Sequence, residues 1–137
     1  MATLVLGMVG TAVELWLLDH TEGWQQLIPL LLIGAGLLAC ASHLARPTLG
    51  TVRLLQAVMV LFVVSGGVGV LLHYQGNLEF ELEMYPEMAG MELFKNTMTG
   101  AFPVLAPGTM LLLGLVGLAY TYHYPRIRPR SLDWMDE

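Results

Sequence analysis

Four stretches of this chain, residues 1–13, 23–45, 54–78 and 96–125, contain no Asp, Glu, Lys or Arg. An apolar, charge-free run of about 18 or more residues suits a bilayer core better than a water-covered globule. Three of the four runs reach that length, and the first is extended past Glu14 by Leu15, Trp16, Leu17 and Leu18. Charged residues make up 12% of the 137 residues, about half the share in a typical soluble domain. These features exclude a soluble enzyme with its own large core. A net charge of −5 without a basic stripe excludes a nucleic-acid binder.

The reading is an all-α integral membrane protein. Four transmembrane helices, at about 3–19, 26–44, 54–74 and 103–123, should form one up-down-up-down bundle within residues 1–125. Residues 126–137 form a tail. The N-terminus lacks the basic start of a secretory leader, and Glu14 interrupts its apolar stretch, so it reads as a retained helix. Pro29 should sit in the first turn of its helix. Trp16, Trp24 and the ladder Tyr120, Tyr122, Tyr124 suit the two interfaces.

Basic residues set the orientation. Arg46 and Arg53 flank the turn between the second and third spans, and Arg126, Arg128 and Arg130 begin the tail. Asp19 and Glu22 occupy the first turn, and Glu79, Glu81, Glu83, Glu87 and Glu92 face Lys95 alone in the 75–100 segment. The positive-inside rule then places both termini in the cytoplasm, with a bacterial inner membrane as the expected location.

The 75–100 segment permits two local structures. Leu78, Phe80, Leu82 and Met84 alternate with glutamates at a strand-like period of two. Glu and Leu nevertheless favour helix. We expect the third helix to continue to about Met84, followed by a short helix from Pro86 to Met98. This segment should be ordered, with its apolar side packed and its carboxylates presented as an acidic docking surface.

Small residues recur in mid-span: Gly34 and Gly36, Gly66, Gly67 and Gly69, and Gly114 and Gly117. Such residues let helix backbones approach closely, inside one bundle or against a partner. Pro103 and Pro107 remove two amide donors from the entry of the last helix, which should therefore be loosened and covered by a neighbour.

Few side chains could carry chemistry. Glu14 is the one acid within a span, where ionisable groups are paired or functional. His20 and His73 should both lie at the outer boundary, and with Glu14 they form a candidate metal set. Met84, Met88, Met91 and Met98 nearby would suit Cu(I), although no HxxxH, HxxE or Met-x-Met spacing is present. His43 and His123 should be interfacial at the other boundary. A haem held by two histidines inside the bundle is disfavoured because every His lies near an end. Cys40 is single and permits no internal disulfide. No triad, P-loop or CxxC occurs, so no enzyme activity and no intrinsic cofactor is expected, although lipid or pigment contact is compatible with the glycine faces.

Two functions remain. The first is a non-catalytic accessory subunit of a larger integral-membrane assembly, of the kind that carries photosynthetic or respiratory electron transfer. Its partners would be other membrane subunits, lipids and a basic soluble protein at the acidic surface. The second is a small metal-handling membrane protein. A channel is disfavoured, because no span carries a continuous polar stripe.

Overall fold

A computed structural model of the chain describes residues 1–122; the tail, with His123, Tyr124 and Arg126, Arg128 and Arg130, lies outside the described residues. Among these residues the protein is all-helical: α1 (Ala2–Leu17), α2 (Trp24–Ala45), α3 (Leu49–Met84), α4 (Gly90–Met98) and α5 (Gly108–Tyr122). Two of them, α2 and α3, are long and apolar enough to cross a membrane; α1 and α5 are apolar but shorter.

Local chemistry sets the boundaries. α1 ends in a Schellman motif: the His20 amide donates to Leu15 O at 3.0 Å and the Asp19 amide to Trp16 O at 3.2 Å. Asp19 takes the left-handed position at φ 49°, where glycine is usual and a short polar side chain is tolerated. α2 starts at Trp24, a turn before Leu27, so Pro29 sits inside the helix rather than in its first turn. It lacks the amide that would reach back to Gln25. Arg46 is pulled into an extended conformation ahead of Pro47, which stops α2.

α3 begins about one turn earlier than its apolar run, because Thr48 and Thr51 form a capping box. The Thr48 Oγ1 accepts from the Thr51 amide at 3.2 Å, and Thr51 Oγ1 accepts from the Thr48 amide at 3.0 Å. From there it continues for 36 residues, about 54 Å of unbroken helix. The expected extension to Met84 is present. The following short helix starts at Gly90 rather than Pro86, with Gly90 at φ +66° turning the chain into it.

Residues 103–107 are not helical. The Ala106 amide bonds Pro103 O at 3.0 Å and the Gly108 amide bonds Leu105 O at 2.9 Å, a run of tight turns that persists until Pro107 is past. The last helix therefore opens at Gly108, five residues after the position expected from hydropathy.

α1 packs on α2, α2 on α3, α3 on α5 and α5 back on α1, closing a ring of four helices. Leu4 and Met8 meet Ile33, Cys40, Leu55, Met59, Phe62 and Leu113 in its core. The α3–α5 crossing is the closest. Gly66 and Gly69 leave room for Leu111 and Pro107, while Gly114 and Gly117 leave room for Val63 and Met59. As numbers rise along α3 they fall along α5, so the two helices are antiparallel. One end of the ring carries Arg46 and Arg53; the other, the acidic end, carries α4 and the glutamates.

Candidate functional site

At the acidic end α3 stands beyond the ring, and the chain folds back on it. Asn77 organises that return. Its side chain is 1% exposed, its Nδ2 donates to Thr97 O at 2.9 Å and to Phe102 O at 2.7 Å, and its Oδ1 accepts from the Phe102 amide at 2.9 Å. The amide group thereby ties the end of α4 and the start of the proline segment to one turn of α3. Gly100 passes directly over the Asn77 side chain, where an added Cβ would come within 2.7 Å of it. Phe94 on α4 packs near Tyr74 at a ring separation of 6.4 Å. Thr97 is fully buried, and its Oγ1 has no hydrogen-bond partner among the described residues.

One turn nearer the ring, His73 Nδ1 lies 3.1 Å from Pro103 O. A carbonyl only accepts, so Nδ1 is the donor in this contact. His20 comes close enough to His73 to feel its charge. Desolvation first, and the His73 charge second, hold the His20 imidazole below its ordinary value of 6.5. Both histidines lie at the acidic end. Glu14 does not join them: it lies on the exposed side of α1. Among the described residues no three His, Cys, Asp or Glu side chains are placed to hold a metal ion.

The shifted His20 gives a signed prediction. The unfolded chain binds a proton at His20 more readily than the folded one, so stability falls as the pH drops through and below 6.5. Thermal midpoints at pH 7.5 and 5.5 should differ more for the native protein than for His20→Gln. Equal differences would show that His20 does not contribute.

The glutamates are presented rather than packed. Glu79 and Glu83 are exposed on α3, Glu87 in the turn and Glu92 on α4, with Glu81 half-buried. Phe80, Met84, Tyr85 and Met91 are exposed among them. The apolar side, expected to pack on the bundle or on a partner subunit, is not covered within the described residues: Phe80, Leu82, Met84, Met91 and Phe94 are exposed, while α4 turns Thr97, with Leu93 and Asn96, inward.

The glycines divide into two groups. Gly36, Gly66, Gly69, Gly114 and Gly117 sit in contacts within the ring. Gly34 and Gly67 have nothing within 4 Å of where a Cβ would be. At the arginine end His43 is 2% exposed, with Nδ1 3.2 Å from Thr51 Oγ1 and its ring edge-on to Tyr120 at 6.1 Å. It is thus buried among the helices at the arginine end, where its position had placed it at the inner boundary. Sequence reasoning missed Asn77 and Thr97; the one available signal was an amide residue directly before the glutamate run.

Comparison with protein-family models, with curated proteins and with solved structures found no match to this chain. The fold defines its class on its own: an all-helical protein with two helices able to cross a membrane.

Proposed function

We propose that this chain is a four-span integral-membrane protein, both termini cytoplasmic, acting as a non-catalytic accessory subunit of a larger membrane assembly. The observation that carries the reading is where the apolar side chains point. Within the apolar windows of α2 and α3 only 28% of residues are buried, whereas the core helix of a soluble protein is mostly buried. Leu31, Leu38, Val64, Leu71, Leu112 and Leu115 all face outward. A water-soluble monomer rarely exposes a continuous apolar belt of this kind, and lipid tails or neighbouring helices would cover it.

α1 has 16 residues and α5 has 15, fewer than the roughly 20 that span a flat hydrocarbon core. The Leu18 turn and the Pro103–Pro107 segment complete these crossings at the acidic end, where Val104 is buried and Pro107 fills the spaces left by Gly66 and Gly69. Arginines at one end and glutamates at the other support the orientation. With Cys40 replaced by Ala, a cysteine placed between residues 85 and 89 should be labelled from outside intact cells. One placed after Arg126 should need permeabilisation; the reverse pattern refutes the orientation.

The accessory role rests on what the described residues offer: small contact sites on the outer surface at Gly34 and Gly67, and an acidic tip suited to steering a basic soluble partner. Electron-transfer assemblies of photosynthesis or respiration bring together both kinds of partner. Gentle solubilisation from the native membrane, followed by identification of what travels with the chain, tests this. Other membrane subunits at fixed stoichiometry are expected; a chain that purifies alone refutes the role.

A further inference from the structure

One outward face differs from all the other apolar faces of the ring. Leu6, Gly10, Glu14 and Leu17, spaced at i, i+4, i+8 and i+11, form a single exposed row along α1, and Glu14 stands two turns beyond Gly7, which meets Leu113 of α5. Leu6 and Leu17 are 72% and 69% exposed. Nothing lies within 4 Å of the position a Gly10 Cβ would take. Glu14 is exposed in the same row, one helical turn beyond Gly10, and its carboxylate has no partner among the described residues.

Depth makes this carboxylate unusual. Leu4 lies by Gly117 and Gly7 by Leu113, so α1 and α5 are antiparallel. Extending that pairing puts Glu14 level with Pro107, and hence with Gly69 of α3. Exposed apolar side chains continue past it on both helices, at Trp16, Leu17 and Leu18 and at Leu71 and Leu72. Glu14 therefore stands within the apolar belt, about 4.5 Å along the helix from Leu17. A carboxylate facing hydrocarbon is costly, and such groups pair or face a cavity.

Among the described residues no counter-charge lies there. Arg46 and Arg53 are at the opposite end, and Lys95 sits on α4, which packs against α3. We infer that the Leu6–Gly10–Glu14–Leu17 row is the docking face for a transmembrane helix of a partner subunit. That helix carries a lysine or arginine opposite Glu14, and its backbone approaches closely over Gly10. The surrounding acidic end adds to the attraction for such a cation. This inference rests on the accessory-subunit reading and names the face and the chemistry through which it works.

The test uses the gently solubilised native assembly. A photo-crosslinking residue at Leu6 or Leu17 should capture a transmembrane peptide of a different protein containing Lys or Arg. The same residue at Leu31 on α2 should not capture that peptide. Glu14→Gln and Gly10→Leu should each lower the amount of that partner per chain by about tenfold, equivalent to about 1.4 kcal/mol. The thermal midpoint of the isolated chain should not change, since neither side chain touches the described fold. Undiminished partner in both variants overturns the inference while leaving the subunit reading in place. Crosslinks only to lipid, or only to a second copy of this chain, also overturn it. Native chain that purifies without any partner removes the subunit reading, and this inference with it.

Discussion

Replacing Gly66 with leucine should unseat α5 from α3 and abolish the folded ring, whereas the same change at the adjacent Gly67 should leave it intact. A Cβ on Gly66 would lie 2.5 Å from the Leu111 amide nitrogen and 2.9 Å from Pro107 O. Both are backbone atoms, so no rotamer change relieves the clash, and the helices must separate. Gly66→Ala alone should cost about 1–3 kcal/mol, the range found when well-packed contacts are overfilled. Leucine demands several ångströms more. Gly114→Leu should behave in the same way, because its Cβ would meet Met59 O at 2.7 Å and the Val63 amide at 2.9 Å. Gly117 and Gly36 are milder cases. Their Cβ atoms would press on the thioethers of Met59 and Met8, flexible ends that can move aside. Circular dichroism during thermal unfolding in detergent separates these classes. Equal midpoints for Gly66→Leu and Gly67→Leu would show that the glycine crossing does not hold the ring together.

The contrast between Gly66 and Gly67 marks a limit of the sequence. Both belong to one small-residue run, and composition alone expects both to pack. Only helix phase against α5 separates them, and that phase is fixed by Pro107, whose ring occupies the notch at Gly69. Helicity itself was legible, because apolar runs without charge leave helix as the way to satisfy the backbone in lipid. Boundaries were legible where a specific chemistry marks them, as with Pro47 after α2, and drifted where it was local and polar. Thr48 and Thr51 start α3 before its hydrophobic run, and the Pro103–Pro107 turns delay α5. The exposure of Glu14 was not legible, since α1 is apolar on every side and its sequence does not say which face the ring takes.

Asn77 was the least legible residue, and its truncation should have the second large effect. Asn77→Ala leaves two carbonyls, Thr97 O and Phe102 O, and the Phe102 amide without their partner in a site that is buried at Thr97 and partly buried at the bonds to Phe102. Each buried polar group left unpaired costs about 1–3 kcal/mol. That cost falls on a segment held by little else, because α4 is a nine-residue helix anchored besides by Thr97 burial and the Tyr74–Phe94 contact. The expected result is local release of residues 85–103 with the four-helix ring retained. The Phe102 amide should then exchange with solvent about tenfold faster or more, as protection is set by the local opening free energy. A glutamate-specific protease, slow on the native protein, should cut rapidly between Glu79 and Lys95. Asn77→Asp gives a sharper form of the test. Its oxygen can still accept from the Phe102 amide, but an ionised carboxylate faces two carbonyl oxygens where the amide donated. Protonation restores one donor, so folding raises the affinity of this Asp for its proton. The clip should therefore hold at low pH and fail as the pH rises through the folded-state value. Protease sensitivity of Asn77→Asp that is independent of pH, or native-like protection in Asn77→Ala, would show that this amide does not hold the acidic segment in place.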